Sequence, residues 1–399
     1  MPMDEVLASA LMQRQEQGRL RRRRNVESEQ AVELQVNGQP LINFSSNDYL
    51  GLAENEELRL ALAEAAGRWG LGSGASHLVC GHSQEHHLLE QELADFVGRE
   101  KALLFSTGYM ANMGCVQALV GRDDAVFEDK LNHASLLDGA LLSRAKRQRY
   151  AHLNYEQLNH RLSKSEAKRK LVLTDSVFSM DGDIAELNLL SRCAKEHDAW
   201  LMVDDAHGFA VLGQQGQGCT EHFKLDTQQV PIYMATLGKA LGGFGAFVAG
   251  SEALIDYLCQ FARPYIYTTA LPPALAAANR VALRLVKEQG WRREKLNNNI
   301  AYFKQQSAVA GLVLMPSDTA IQPLLIGEDK QLMALAAQIE KRGFLVGAIR
   351  PPTVPEGTAR LRITLSAAHS LQHIDALVAA IVEGRSEVQA SYVKEFGLG

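Results

Sequence analysis

Lys239 stands in the run YMATLGKALGGFG (233–245), just past an apolar stretch, three residues after Thr236 and ahead of a cluster of glycines. A lysine amine stripped of water becomes neutral and nucleophilic enough to attack an aldehyde, so this position can form a Schiff base. Upstream, the apolar run Trp200 to Val203 ends in Asp204-Asp205, with His207 and Gly208 following. A strand-end acid alone is as often a turn former as a ligand; the histidine three residues on suggests that Asp204 and His207 face one ligand. In LLFSTGYMANMG (103–114), Ser106, Thr107, Gly108 and Tyr109 fall where a strand passes into a helix, and the open N–H groups of such a helix start suit a phosphate. Asn132, His133 and Ser135 follow AVFED, while Thr174, Asp175, Ser176, Ser179 and Asp181-Gly182 follow KLVLTD. Read singly, each stretch is an ordinary loop. Read together, they offer an amine, a carboxylate for a pyridine nitrogen, a flat imidazole for stacking and hydroxyls with helix amides for a phosphate. That is the set pyridoxal 5′-phosphate (PLP) requires. The chain has neither a Walker A loop nor G-x-G-x-x-G, which disfavours nucleoside triphosphates and dinucleotides. The glycines after Lys239 either leave room for the lysine to swing away or serve the backbone turn alone.

These residues need strands to hold them. KALLFS, AVFED, KLVLTD, AWLMVDD, PIYMAT and FGAFVAG read as short buried strands, with EELRLALAEAAGRWG and EHHLLEQELADFVG as amphipathic helices. Such alternation predicts a mainly parallel sheet covered on both faces, whose ligands collect beyond the carboxyl ends of the strands. Residues 1–46 read as a separate segment: an amphipathic helix with Val6, Leu7, Ala10 and Leu11 near one face, then a hairpin turning at Asn37-Gly38. The large cofactor-binding domain is expected over 47–288. Residues 289–399 read as a smaller α+β domain with strands AIQPLLIG, FLVGAI and RLRITL.

Composition narrows the classes. With 399 residues, 46% hydrophobic and 22% charged, the chain has material for more than one lobe. A net charge of −5 argues against a general nucleic-acid binder, and the basic run RLRRRR (19–24) reads as a solvated helix end. Five scattered cysteines without a C-x-x-C pair argue against a disulfide framework or a cysteine zinc site, so no metal is expected. The N-terminus lacks a signal-peptide pattern and no stretch reaches the roughly 20 apolar residues of a membrane span, which points to a cytoplasmic protein.

The chain resembles the α-oxoamine synthases among the fold-type I PLP-dependent enzymes, from about residue 20 to the end. The resemblance is carried by NFSSNDYLGL (43–52), GSGASHLVCGHS (72–83), STGYMAN (106–112), NHAS (132–135), VFSMDGD (177–183), VDDAHG (203–208), TLGKALGG (236–243), YTTALPP (267–273) and AIRPPTVPEGTARLRITLSAAH (348–369). It implies a large domain built on a mainly parallel seven-stranded sheet between helices, plus a smaller C-terminal α+β domain. Lys239 would carry the cofactor and later move the Cα proton, and Asp204 would pair with the pyridine nitrogen. His207 would meet the phenolic oxygen, His133 would stack on the ring, and Ser179 would lie beside it. Gly108, Tyr109 and Thr236 would form the phosphate end, with Thr268 and Thr269 reaching it from a partner subunit in a homodimer with shared active sites. Arg21, Asn47, His133, Arg350, Thr353 and Arg362 match substrate positions, with Arg350 and Arg362 both open as partners of the amino-acid carboxylate. The departures are Ala75, His77, Leu78 and Cys80 in a segment usually rich in glycine and serine, and Asp175 where glutamate is common. Within the family the resemblance is greatest to members that condense L-alanine with a pimeloyl thioester, on acyl carrier protein or coenzyme A, in biotin synthesis. Glycine C-acetyltransferase or another synthase of the family is the alternative, and a non-catalytic binding protein on the same fold is the third reading.

Overall fold

Val126, Phe127, Leu171, Val172, Leu173, Met202 and Val203 are completely buried, as strands covered on both faces must be. The computed structural model describes residues 2–396. Its strands are β1 (Glu33–Val36), β2 (Gln39–Phe44), β3 (Lys101–Phe105), β4 (Ala125–Asp129), β5 (Lys146–Tyr150), β6 (Lys170–Asp175), β7 (Trp200–Asp204), β8 (Ile232–Thr236), β9 (Ala246–Gly250), β10 (Ile321–Gly327), β11 (Phe344–Ile349) and β12 (Ala359–Thr364). They divide between two units, one of Leu50–Ser179 with Asp183–Glu294, the other of Met1–Tyr49, Met180–Gly182 and Lys295–Gly399.

In the first unit, seven strands among the described residues form one sheet in the order β3-β9-β8-β7-β6-β4-β5. Neighbours from β8 through β5 pair in parallel, and β9 alone runs antiparallel to β8 and β3. Strands β3, β4, β6, β7 and β8 therefore point the same way, and their last residues, Phe105, Asp129, Asp175, Asp204 and Thr236, fall on one edge. Every strand-end motif of the sequence opens from that edge. The six apolar runs are all strands, but the seventh strand, β5, reads KRQRY and carries no apolar run. It is an edge strand, and Arg147 on it donates from Nε and Nη2 to Glu128 Oε1 on β4, at 3.1 and 2.7 Å. Burial pushes the Glu128 carboxyl up, and Arg147 opposes that.

The second unit has a five-stranded sheet ordered β1-β2-β11-β12-β10, with β2 and β11 parallel and the other neighbours antiparallel. The β1–β2 hairpin turns at Asn37 and Gly38 with φ of 49° and 75°, as the Asn-Gly pair predicts. The segment that the sequence sets apart over 1–46 thus shares a sheet with the C-terminal strands, because β2 pairs with β11. The expected N-terminal helix forms over Met3–Glu16 but buries none of its residues. Residues 180–182 join this unit through the Gly182 carbonyl, which accepts from Ser317 Oγ and Thr319 Oγ1 at 3.1 and 3.0 Å. Among the described residues, no helix is long and apolar enough to cross a membrane.

Arg147→Met should cost on the order of 2 kcal/mol in denaturant unfolding, because it leaves a buried carboxylate poorly paired. The loss stays below that of a fully buried pair, since Arg147 is 29% exposed and Arg149 remains 3.7 Å from Glu128. Adding Glu128→Gln to that variant should recover most of it.

Candidate active site

Strand β7 ends on Asp204, and the next residue is also an aspartate. Strand alternation sends the two to opposite faces. Asp205 is fully buried; its Oδ2 accepts from the Tyr233 hydroxyl (2.7 Å) and the Cys219 N–H (2.8 Å), and its Oδ1 from Ser176 Oγ (2.5 Å). Burial pushes its carboxyl up to about 6, against those hydrogen bonds. A Cβ on Gly208 would lie 2.2 Å from Asp205 Oδ1 and one on Gly218 2.0 Å from Oδ2, so both glycines are needed for this close approach. Asp204 takes the other role. Its Oδ1 accepts the Ala206 N–H (3.0 Å) and its Oδ2 accepts from Asn112 Nδ2 (2.7 Å).

The turn that Asp205 anchors brings His207 back over the sheet edge, where its Nε2 lies 2.8 Å from Lys239 Nζ. Lys239 itself is held by the turn after β8. Leu237 N–H donates to Gly245 O, Gly243 N–H to Leu237 O and Gly242 N–H to Lys239 O, at 2.9, 3.0 and 2.9 Å. Gly242 has φ +67° with a Cβ position 2.3 Å from Ala53 N, and a Cβ on Gly243 would meet Asn279 Oδ1 at 1.9 Å. Asn279 Nδ2 in turn donates to Phe244 O at 2.9 Å. Of the two readings of these glycines, backbone packing is therefore the one with structural grounds. Thr236 braces the same turn: its Oγ1 donates to Gly245 O (3.0 Å) and accepts the Gly238 N–H (3.3 Å).

A second group is joined to Asp204 through Asn112. Asn112 Nδ2 also donates to Ser135 Oγ (2.9 Å), which lies 2.7 Å from His133 Nδ1. His133 Nδ1 further accepts the Ser135 N–H (3.3 Å), capping the helix Ala134–Ser143. Because Nδ1 is an acceptor in this network, the ring proton of neutral His133 belongs on Nε2. Burial lowers the His133 imidazole, with Asp204 opposing and Lys239 adding. The His133 N–H donates to Asp175 Oδ2 (2.7 Å), the residue paired with Asp204 in the β6–β7 register. Burial and the Asp204 charge push Asp175 well up, which favours its protonated form.

At the end of β3, Thr107 caps the helix Gly108–Leu119 by accepting the Met110 N–H (3.2 Å). The first-turn amides of Gly108 and Tyr109 have no carbonyl partner within their own helix, as at any helix start. The Tyr109 hydroxyl donates to Asp138 and its ring stands edge-on to His133, centroids 6.2 Å apart. Ser179 is half-buried in the turn closed by the Val177–Ile184 bridge. Thr268 is half-buried and Thr269 exposed; Thr269 bridges to Ser76, and its carbonyl accepts from Ser106 Oγ at 3.5 Å.

The remaining expected positions lie in the second unit. Arg362, on β12, is 7% exposed; it donates to Asn47 Oδ1 (3.1 Å) and Thr364 Oγ1 (2.9 Å). Tyr49 also donates to Asn47 Oδ1 (3.2 Å), and burial pushes its phenol up to about 12 with Arg362 opposing. Arg21 donates to Thr353 Oγ1 (3.3 Å), and Arg350 to the Leu20 carbonyl (3.4 Å). The structure therefore joins Asn47 with Arg362 and Arg21 with Thr353.

The donor set of the first unit fits PLP. Asp204 accepts two hydrogen bonds among the described residues where a carboxylate has room for about four, so a pyridinium N–H can be added. A lysine amine, a neutral imidazole and a helix start are within the same strand edge. Asn112 is the residue whose role escaped the sequence reading, although it follows Gly108 by four positions and so shares its helix face. His77, His82 and His86 also bring ligand atoms within 4.8 Å of one another. His86 nevertheless uses both nitrogens, donating from Nε2 to Leu271 O (2.5 Å) and accepting the Ser83 N–H at Nδ1 (2.9 Å).

A family model described as aminotransferase class I and II matches residues 39–381. An 8-amino-7-oxononanoate synthase of Cellvibrio japonicus (strain Ueda107) is 57% identical over 389 residues, covering 98% of this chain and 97% of that protein. Among solved structures, a serine palmitoyltransferase variant from S. paucimobilis with a bound PLP-myriocin aldimine superposes with a TM-score of 0.91 at 28% identity, covering 97% and 98% of the two chains. An 8-amino-7-oxononanoate synthase from Francisella tularensis superposes with a TM-score of 0.77 at 32% identity, covering 88% and 99%.

Asn112→Ala removes the donor that orients Asp204 and Ser135 together. It should weaken PLP binding by about tenfold, the loss of one hydrogen bond to a charged group. Absorbance titration of the apoprotein checks this, and unchanged affinity would remove Asn112 from the site.

Proposed function

The chain belongs to the class I and II aminotransferase family and, within it, to the 8-amino-7-oxononanoate synthases, and from that premise we propose that it condenses L-alanine with a pimeloyl thioester. The products would be 8-amino-7-oxononanoate, carbon dioxide and the free thiol of coenzyme A or acyl carrier protein. It is a PLP-dependent acyltransferase of the α-oxoamine synthase type that serves biotin biosynthesis. The full-length match to a synthase of that activity is the observation that supports this reading most directly.

When bound, PLP supplies a reactive aldehyde and an electron-accepting ring that stabilises negative charge at the substrate Cα. The protein's own groups do the rest. Asp204, oriented by Asn112 and the Ala206 N–H, would keep a proton on the pyridine nitrogen. His133 offers a flat ring whose Nδ1 is tied to Ser135, which fixes its plane. Lys239 would hold the cofactor through Nζ, and its amine would take the Cα proton of alanine and later return one. His207, whose Nε2 lies 2.8 Å from Lys239 Nζ, would hold the phenolic oxygen of the cofactor. Gly108, Tyr109 and Thr236 would hold the phosphate; Thr236, which donates to Gly245 O here, would have to turn its hydroxyl to donate there. Ser179 would help to hold the cofactor.

Arg362 is the better partner for the alanine carboxylate than Arg350. It is buried and braced by Asn47, and a desolvated guanidinium gains more from an anion. Arg21, Arg350 and Thr353 are left for the acyl chain and its carrier. The active unit is a homodimer in the cytoplasm, with Thr268 and Thr269 completing the partner's phosphate site.

The test presents the holoenzyme with L-alanine, glycine or L-serine and with pimeloyl or acetyl thioesters, and follows thiol release. Pimeloyl with alanine should be fastest. Faster release from acetyl with glycine would overturn the biotin assignment in favour of glycine C-acetyltransferase activity.

A further inference from the structure

His152 lies outside every motif that the sequence singled out, yet both of its ring nitrogens face carboxylates. Nδ1 is 3.0 Å from Asp129 Oδ1 and Nε2 is 2.6 Å from Asp183 Oδ2. Neutral imidazole carries one N–H, so two carboxylate acceptors are both satisfied only by the imidazolium. The ring stands edge-on to Phe178 with centroids 4.4 Å apart. Its side chain is 25% exposed, against 1% for Asp129 and 22% for Asp183.

The two carboxylates sit on the two segments that carry cofactor positions. Asp129 ends β4, and its Oδ1 also accepts the Leu131 N–H (2.8 Å), its Oδ2 the Leu153 N–H (2.9 Å) and its carbonyl the Asn132 N–H (3.2 Å). These bonds shape the bend that leads into His133. The Asp183 carbonyl accepts the Phe178 N–H (3.0 Å), and Val177 bridges to Ile184, closing the turn that carries Ser179.

We propose that the His152 imidazolium is a positioning residue for the cofactor site, one cation that locks the His133 bend to the Ser179 turn. The proposal rests on the assignment of His133 and Ser179 to the cofactor. Burial lowers the His152 imidazole, but the hydrogen bonds and charges of Asp129 and Asp183 outweigh it and raise it to about 9. A group raised in the folded state contributes fully below its unfolded pKa of about 6.5 and loses that contribution as pH rises through its folded value. The lock is therefore closed at neutral pH and opens around pH 9. Other groups facing this cluster are Tyr150 on β5, Asp175 on β6, Tyr155 and Glu156 on the helix Tyr155–Ser163, Glu186 after the turn, and Arg192, Glu196 and Cys193 across the groove, with the Cys193 thiol pushed up to about 11 by burial. Burial pushes Tyr155 up to about 12 and Tyr150 well up, so neither phenol titrates in that window.

The experiment compares the PLP dissociation constant of wild type and His152→Gln at pH 7 and pH 10. The variant should bind about tenfold more weakly at pH 7 and within about twofold of wild type at pH 10, where wild-type His152 has lost its charge. His152→Arg, whose cation does not titrate, should recover most of the affinity at pH 7 and keep it at pH 10. A ratio between wild type and His152→Gln that is the same at both pH values would overturn the proposal. Should His152→Gln fail to fold, Asp183→Asn is read in the same way, with about a threefold loss expected at pH 7 and none at pH 10. Wild type that takes up no PLP at either pH would instead overturn the cofactor reading on which the proposal rests.

Discussion

Asp204 is the last residue of β7 and Asp205 follows it, and the alternation of an extended chain sends the two side chains to opposite faces. Asp205 turns into the protein, where three donors and the close backbone of Gly208 and Gly218 hold it. That inward anchor sets the path of the turn, and the turn brings His207 over the strand edge against Lys239. Asp204 is thereby left at the edge from which the other strand-end motifs open.

The second constraint is the shared amide of Asn112. One side-chain nitrogen reaches both Asp204 and Ser135, and Ser135 in turn fixes His133. The helix after β3, the end of β7 and the start of the helix after β4 are thus tied together, so Asp204 and His133 are held in fixed orientations. Preorganisation of this kind spares the site the cost of reorienting dipoles during reaction. The same helix presents its first-turn amides at Gly108 and Tyr109, so these amides and Asn112 share one rigid element.

Much of this was legible in the sequence because the strands are short apolar runs that end abruptly in polar residues. Lys239, Asp204, His207 and His133 all sit at such endings, and the parallel order of the strands collects them. Strand β5 was not legible: KRQRY lies at the sheet edge, where Arg147 meets the buried Glu128, and an edge strand needs no apolar run. Neither was the union of residues 33–44 with the C-terminal strands, since pairing of β2 with β11 spans some three hundred residues and leaves no local trace. Asn112 was quoted within a motif but had no evident task, because its partners come from β7 and from the helix after β4. His152 was silent for the same reason: its meaning is two carboxylates from distant segments.

The central claim is that Lys239, out of all the lysines of the chain, is the one that holds PLP covalently. Reduction of the holoenzyme with borohydride, followed by proteolysis and mass spectrometry, locates the pyridoxyl group directly. The account predicts a single pyridoxyl-modified peptide containing Lys239, lost in Lys239→Ala. Modification of a different lysine, or none in a protein that has taken up PLP, would contradict it.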